Sequence, residues 1–131
     1  FSYTPLQSKD PSTRLLRLFR ASDFQDEVRC EIWEAKLQPD LEYEALSYTW
    51  GTNPPSETIF LRDAHGEGRF AVRDNLDDAL RHLRLADHDR VIWTDAICIN
   101  QEDEIEKGRQ IANMRTIYTQ AKRVVVWLGK E

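Results

Sequence analysis

The stretch from Val91 to Gln101 constrains the fold more than any other, because an apolar run passes directly into small polar side chains. Its first residues have the pattern of a strand covered on both faces, which is typical of a parallel sheet. Polar residues follow where that strand, predicted over 91–97, comes to its end: Asp95, Cys98, Asn100 and Gln101. Ligands of open α/β sheets bind at the carboxyl ends of strands, so this stretch predicts a site. The alternative is that Asp95 and Asn100 only fix a turn and cap the next helix.

Strand and helix patterns alternate along the rest of the chain. Period-two patterns and turn residues predict strands at 13–19, 28–37, 43–49, 58–61 and 69–72, of which the first two and the last two form hairpins. Helical periodicity predicts helices over 75–86 and 103–121, and a last apolar strand follows at 124–128. This order implies that the strands at 43–49, 91–97 and 124–128 are parallel neighbours joined by crossover helices. The predicted fold class is therefore α/β, a parallel sheet with N-terminal and mid-chain hairpin additions.

The two predicted helices each have an apolar face and suitable ends. In the first, the face is formed by Leu76, Ala79, Leu80 and Leu83, and Asp74 or Asn75 is placed to cap it. In the second, the predicted face is formed by Ile111, Met114, Tyr118 and Ala121. Acidic residues crowd the start of this second helix and basic residues follow its end, as the helix dipole favours.

Composition excludes several classes of protein. The 131 residues suit one domain, taken as 1–131, and 18 basic against 23 acidic side chains give a net charge of −5 without a basic run. This argues against a nucleic-acid or membrane surface. Cys30 and Cys98 lack metal-ligand spacing and are expected to be reduced thiols in a cytoplasmic protein, and no metal site is predicted. No apolar stretch is long enough to span a membrane, and a first residue other than Met suggests a piece of a longer protein.

Several motifs, in order along nearly the whole chain, resemble those of the HET (heterokaryon incompatibility) domain of filamentous fungi. Residues 3–6 and 14–16 resemble the family's usual lead-in. The family's first signature is resembled by Tyr43-Glu44-Ala45-Leu46-Ser47-Tyr48-Thr49-Trp50-Gly51. Its second signature is resembled by Asn75-Leu76 with Ala79-Leu80 and Leu83-Arg84. Its third signature is resembled by 93–101, followed by Glu106, Gln110, Met114, Ile117-Tyr118, Ala121 and 124–129. The family block usually continues beyond this point.

The resemblance implies a role in cell-death signalling. HET domains also look like remote relatives of TIR domains, many of which cleave the nicotinamide-ribose bond of NAD+ when they assemble into oligomers. The fold expected from this likeness is TIR-like or flavodoxin-like. The family resemblance further implies that NAD+ or a related nucleotide is a substrate rather than a bound cofactor. It also implies a homo-oligomer on activation and attached domains in a longer parent protein. Agreement of fold alone supports function only by analogy.

Release of nicotinamide requires stabilisation of a cationic ribosyl transition state, which a nearby carboxylate can provide, and an aromatic face can hold the ring. Glu106, at the start of the second helix, is the first candidate for that carboxylate, and Asp95 is the second. As a helix-end charge, Glu106 is expected to contribute about 0.3–1 kcal/mol to stability. The predicted substrate-binding residues are Ser47, Tyr48, Trp50, Gly51, Cys98, Asn100 and Gln101.

Each of these assignments has a structural alternative. Glu106 resembles an electrostatic helix cap, Asp95 an acceptor for loop amides, and Trp50 a core aromatic residue. An essential carboxylate beyond Glu131 is a further alternative. Cys98 has no histidine near it in sequence, which argues against a Cys-His hydrolase. The second functional class is a non-enzymatic adaptor whose exposed faces recruit other proteins.

Overall fold

The computed structural model describes residues 1–129, which form a seven-stranded mixed sheet and three helices. The strands are Ser12–Leu18 (β1), Arg29–Lys36 (β2), Glu44–Tyr48 (β3), Glu57–Asp63 (β4), Gly66–Val72 (β5), Arg90–Trp93 (β6) and Arg123–Trp127 (β7). The helices are Asp74–Leu83 (α1), Asp95–Cys98 (α2) and Glu104–Gln120 (α3). The strand order in the sheet is β5-β4-β2-β1-β6-β3-β7. Because helices alternate with the last strands of the chain, the α/β class is confirmed.

The half of the sheet that contains β6, β3 and β7 is parallel, as predicted. Glu44 of β3 lies opposite Ile92 of β6 on one side and Arg123 of β7 on the other. The carboxyl ends of β3 and β6 therefore meet at one edge of the sheet. This arrangement brings the residues after Tyr48 close to the residues after Trp93.

The other half of the sheet corrects the prediction of a parallel sheet. β1 runs antiparallel to both β2 and β6, and β4 runs antiparallel to β5, whereas β2 and β4 are parallel. The predicted hairpins are confirmed, and both form part of the one seven-stranded sheet. Because nearly every residue of β1 is buried, this strand is suited to the centre of the sheet beside β6.

Strand β6 is shorter than predicted because the chain enters a helical turn directly after Trp93. The backbone N–H of Cys98 donates to the carbonyl of Thr94 at 2.9 Å, and that of Ile99 donates to Asp95 at 3.3 Å. Asp95 is therefore the first residue of α2 and not part of a strand.

The β4–β5 hairpin is longer than predicted, since only Ala64 and His65 join its strands. The carboxylate of Asp63 accepts from the backbone N–H groups of His65 and Gly66, at 2.8 and 3.0 Å, and closes this turn. His65 is exposed, as expected for a loop residue.

The apolar face predicted for α1 is confirmed, with Leu76, Ala79 and Leu80 buried. The prediction that Asp74 or Asn75 caps this helix is wrong, because the N-cap position is occupied by Arg73. Asp74 is already in the first turn, where its carboxylate accepts from the adjacent backbone N–H.

The face predicted for α3 is partly wrong. Ile111 is 56% exposed, whereas the buried residues are Glu106, Gln110 and Ile117. Met114, Tyr118 and Ala121 pack against the core as predicted. The buried face is displaced from Ile111 because two polar side chains, Glu106 and Gln110, have partners inside the protein.

Helices α1 and α3 cover opposite faces of the sheet. On one face, the ring of Trp93 meets Tyr118 of α3, with centroids 5.4 Å apart. On the other face, Trp127 contacts His82 of α1 at 4.8 Å. Side chains alternate between the faces along each strand, and the register places Trp93 and Trp127 on different faces.

The helices, metal-binding side chains and cysteines of residues 1–129 bear on three of the sequence-based expectations. No helix there combines the length and apolar character needed to cross a bilayer. No group of three or more His, Cys, Asp or Glu side chains in the same range is arranged to hold a metal ion. Cys30 and Cys98 are both free and buried, so the prediction of reduced thiols is confirmed.

Candidate functional site

The residues that follow β3 and β6 are joined by a direct side-chain contact. The indole N–H of Trp50 donates to Oδ1 of Asp95 at 3.1 Å. Trp50 is the second residue of the loop after β3, and Asp95 begins α2, separated from the end of β6 by one residue. The parallel pairing of these strands accounts for the contact, because it aligns their carboxyl ends.

Two aromatic rings and a guanidinium group lie beside this contact. The rings of Tyr48 and Trp50 are nearly parallel, inclined by 12°, with centroids 6.4 Å apart. The guanidinium of Arg73, just before α1, lies 5.2 Å from the centroid of the Trp50 ring. Arg73 is held there by the carbonyl of Asn53, which accepts from its Nε at 2.9 Å. The site thus offers aromatic faces next to one carboxylate and one cation.

The carboxyl group of Asp95 is half-buried, and this burial raises its pKa above the ordinary value of 3.8. Hydrogen bonds from the Trp50 indole and the Ala96 backbone oppose the rise without cancelling it. A carboxyl group kept in an environment that disfavours its charge is typical of functional sites. The raised pKa also makes this carboxylate a better proton acceptor.

Ser47, Gln101 and Tyr118 complete the surroundings of Asp95. The amide of Gln101 donates to the backbone carbonyl of Asp95 at 2.9 Å and fixes the start of α2. Burial raises the pKa of Tyr118, and the charge of Asp95 raises it further, while the Ser47 hydroxyl opposes the rise. Ser47 and Gln101 therefore lie in the predicted region. Burial and then Asp95 likewise raise the pKa of Tyr48, so both phenols stay neutral.

The loop that carries Trp50 is held by Asn75 at the start of α1. The amide nitrogen of Asn75 donates to the carbonyl of Thr49 at 3.0 Å. Gly51 and Gly129 both lie near Asn75 and have φ angles of 77° and 85°. The predicted site residue Gly51 thus has a conformational role, since side-chain-bearing residues seldom adopt this angle.

Glu106 lies in a separate cluster. Its carboxylate binds the guanidinium of Arg14 through two contacts of 2.6 and 2.7 Å, and its side chain is only 7% exposed. The same carboxylate accepts from the backbone N–H of Asn100 at 2.6 Å. These partners correct the view of Glu106 as a helix-end charge, because Asp103 supplies the N-cap contact of α3 instead.

Asn100 and Cys98 are associated with this second cluster. Asn100 donates to Glu106 through its backbone and accepts from the N–H of Glu102 at 3.2 Å through its side chain. Cys98 is fully buried, and burial raises the pKa of its thiol to about 12. Its carbonyl accepts from Arg14 at 3.2 Å. The expectation that Cys98 contacts a substrate is thus corrected, since its sulfur is inside the core.

Sequence reasoning missed Arg14, Arg73 and Asn75 as contributors to these clusters. Arg14 is 3% exposed, and an arginine at the centre of an apolar strand was the signal that a buried acidic partner exists. Arg73 and Asn75 flank a helix start, where polar residues are common, so no sequence signal separates them from ordinary capping residues.

Together, the fold and the site define an α/β domain with a mixed sheet and a polar, aromatic-lined edge at the carboxyl ends of two parallel strands. The family model described as "Heterokaryon incompatibility protein (HET)" matches residues 43–131. The chain belongs to the HET family.

The comparison with curated proteins agrees with this assignment. Heterokaryon incompatibility protein 6, OR allele, from Neurospora crassa is 41% identical to this chain over 140 aligned positions. The alignment covers 98% of this chain but 21% of that protein, so the chain spans about a fifth of its relative's length. No solved structure matches the chain.

Proposed function

We propose that this domain is a cell-death effector of fungal heterokaryon incompatibility and that it hydrolyses NAD+ to nicotinamide and ADP-ribose. Membership of the HET family supports the first half of the proposal. The observation that supports the second half is the Trp50–Asp95 contact, which joins an aromatic face to a half-buried carboxyl group. An aromatic face can hold the nicotinamide ring, and an adjacent carboxylate can stabilise the ribosyl cation.

The reaction breaks the bond between the nicotinamide nitrogen and C1′ of the ribose. The bonding electron pair stays on the nitrogen, so the pyridinium leaves as a neutral ring and positive charge develops on the ribose. The carboxylate of Asp95 stabilises this charge. Water then adds to C1′ and loses a proton to Asp95 or to solvent. The products are nicotinamide, ADP-ribose and a proton.

The surrounding residues have distinct parts in this proposal. Trp50 and Tyr48 hold the nicotinamide ring, and the amide of Gln101 fixes the backbone of Asp95. Arg73 lies on the Trp50 ring, where its charge suits the diphosphate of the nucleotide. Ser47 restrains Tyr118 beside the carboxylate.

We assign Glu106 a positioning role instead of the catalytic role for which it is the first candidate from sequence. A carboxylate that already has two contacts to Arg14 and one to Asn100 has few free lone pairs for a ribosyl cation. The hydrogen bond that its carboxylate accepts from the Asn100 backbone N–H holds the segment after α2. Helix α2 in turn carries Asp95. Glu106 therefore acts on the site through the backbone.

The TIR-like part of the proposal rests on one portion of the sheet. β6, β3 and β7 are parallel, and α3 connects β6 to β7, as expected for a TIR-like domain. Activation by homo-oligomerisation, a cytoplasmic location and control by other domains of a longer parent protein remain part of this proposal.

A direct assay tests the proposal. The purified domain is incubated with NAD+ over a range of protein concentrations, and nicotinamide and ADP-ribose are measured in equal amounts. Trp50→Phe keeps an aromatic face but lacks the N–H donor to Asp95, so it should retain part of the activity, and Trp50→Ala should lose more. Equal activity in both variants and the unmodified domain would contradict a role for Trp50.

The second candidate function is a non-enzymatic adaptor. The exposed apolar side chains of Val126 and Leu128, which are 60% and 86% exposed, favour it because such residues mark contact surfaces when they lie together. An adaptor would kill cells without consuming NAD+. Measurement of cellular NAD+ during HET-induced death separates the two functions.

A further inference from the structure

The two edges of the sheet differ in how they are covered. At one edge, β5 carries the charged side chains of Glu67 and Arg69. The N-terminal amine of Phe1 donates to the carbonyl of Arg69 at 3.2 Å, and the rings of Phe1 and Phe70 are in edge contact. Charged side chains and a covering segment are the usual means by which proteins protect an edge strand.

At the other edge, β7 is hydrogen-bonded to β3 alone among the described strands. Val124 and Val126 point to the face covered by α3, because Val124 lies opposite Ala45, and Ala45 lies opposite Trp93. Even so, Val124 is 44% and Val126 is 60% exposed, so α3 does not extend over β7. An unprotected edge strand with apolar side chains is a template for pairing with another strand.

We propose that β7 is a dimer interface, on which a second copy of this chain adds its own β7 in antiparallel orientation. A twofold axis at Val125 places Val124 of each copy opposite Val126 of the other. All four valines then lie on the same face of the sheet as α3, in the region over β7 that α3 does not cover. There they form one apolar cluster. The two sheets continue into each other, and the outward backbone groups of both edges are paired.

The same register is complementary on the other face of the sheet. It places Arg123 of each copy opposite Trp127 of the other, which sets a cation beside an aromatic ring. Arg123 is 64% exposed, and its contact with Glu44, at 2.9 Å, leaves other donors of its guanidinium free. No like charges face each other between residues 123 and 127. The strand is therefore self-complementary in its apolar contacts, and its single charged residue, Arg123, faces an aromatic ring instead of a like charge.

The interface has a consequence for the candidate site. Trp127 lies opposite Tyr48 within the sheet, so the carboxyl end of β7 adjoins the ring pair of Tyr48 and Trp50. In the dimer, Arg123 of the second copy is brought to this edge. The interface involves β7 alone and does not depend on NAD+ hydrolysis.

Sedimentation velocity over a range of protein concentrations tests the interface. The chain should shift from the mass of one copy to that of two, and the amides of 123–127 should gain protection from hydrogen exchange as the dimer forms. Val126→Lys should keep the protein monomeric, as should Val124→Lys, because each places a charge in the valine cluster. Ile111→Lys is the matched control, since it makes the same type of change at an exposed position of α3.

The control should dimerise as the unmodified chain does, and melting curves should show that all three variants are folded. A chain that stays monomeric at every concentration would overturn the proposal. So would equal dimerisation of the Val126→Lys and Ile111→Lys variants. If another segment of a longer protein covers β7, this chain by itself stays monomeric and its β7 amides exchange freely, which also overturns the proposal.

Discussion

Arg14 and Glu106 form a two-contact ion pair inside the protein, with nitrogen-oxygen distances of 2.6 and 2.7 Å. The pair joins β1 to α3. Arg14 also donates to the carbonyls of Thr4 and Cys98, at 3.0 and 3.2 Å, and its guanidinium lies over the Tyr3 ring. The pair therefore connects the N-terminal segment, the central strand, the end of α2 and the long helix.

Glu106→Gln should consequently destabilise the fold. Removal of one partner leaves the guanidinium of Arg14 buried without its counter-charge, and loss of a buried partner typically costs about 3–5 kcal/mol. This exceeds the small effect expected from a helix-end charge. Chemical denaturation of the variant measures the change in the free energy of unfolding.

Glu31→Gln is the matched control for that measurement. Glu31 pairs with Arg62 at 3.0 Å, but both side chains are more than one-third exposed. An exposed pair of this kind contributes about 0–1 kcal/mol. If the two variants were destabilised equally, the Arg14–Glu106 pair would not have the structural role assigned to it.

Gly51→Ala should weaken both the fold and the site. A Cβ atom at Gly51 has room, since its nearest neighbour is 3.9 Å away, but the φ angle of 77° is unfavourable for alanine. The left-handed conformation costs roughly 1–2 kcal/mol for a residue with a Cβ atom. Thermal melting measures this loss, and weaker NAD+ binding should accompany it because Trp50 is adjacent.

Gly66→Ala is the corresponding control. Gly66 has no positive φ angle, and a Cβ atom there meets nothing within 4 Å. The change should alter stability by less than about 0.5 kcal/mol. Equal losses in the two alanine variants would show that backbone strain at Gly51 is not the cause.

The pKa of Asp95 predicts a pH-dependent difference between the unmodified domain and Asp95→Asn. Because burial raises the pKa of Asp95 in the folded state above 3.8, folding favours the protonated carboxyl group. The stability that this group contributes is fully present below its unfolded pKa and is lost as the pH rises through the folded pKa. The asparagine variant does not titrate at this position.

Asp95→Asn should therefore gain stability relative to the unmodified domain as the pH is raised from below 3.8 towards neutrality. The asparagine carbonyl can still accept from the Trp50 indole, so this contact is retained. Denaturation at matched pH values measures the difference. A relative stability that falls with rising pH would mean that Asp95 is a paired structural carboxylate.

The parallel half of the sheet was predictable from sequence, because the apolar runs ending near Tyr48, Trp93 and Trp127 were strong and separated by helical patterns. The position of β1 was not, because the local pattern of a strand does not show that it pairs with β6, which lies more than 70 residues later in the chain. Ile111 was misassigned because apolar periodicity alone cannot detect a helix face formed by Glu106 and Gln110.

The candidate site was predictable to a similar extent. Trp50 and Asp95 follow two adjacent parallel strands, and that relation follows from the strand order alone. The choice between Asp95 and Glu106 depended on Arg14, which is 92 residues away from Glu106 in sequence. Cys98 belongs to the core because β6 ends in a helical turn at Asp95, whereas the apolar run through Ile97 predicted that the strand continues.

The central claim is that the carboxylate of Asp95 acts on NAD+, and the rate of nicotinamide release by Asp95→Asn tests it most directly. Asp87→Asn is the matched control, since the Asp87 side chain is 85% exposed. The Asp95 variant should remain folded and lose activity by roughly 100-fold or more, as the loss of a group that stabilises developing charge does. The control should keep the unmodified rate. A folded Asp95→Asn variant with undiminished release, or an unmodified domain that releases no nicotinamide at any concentration, would contradict the claim.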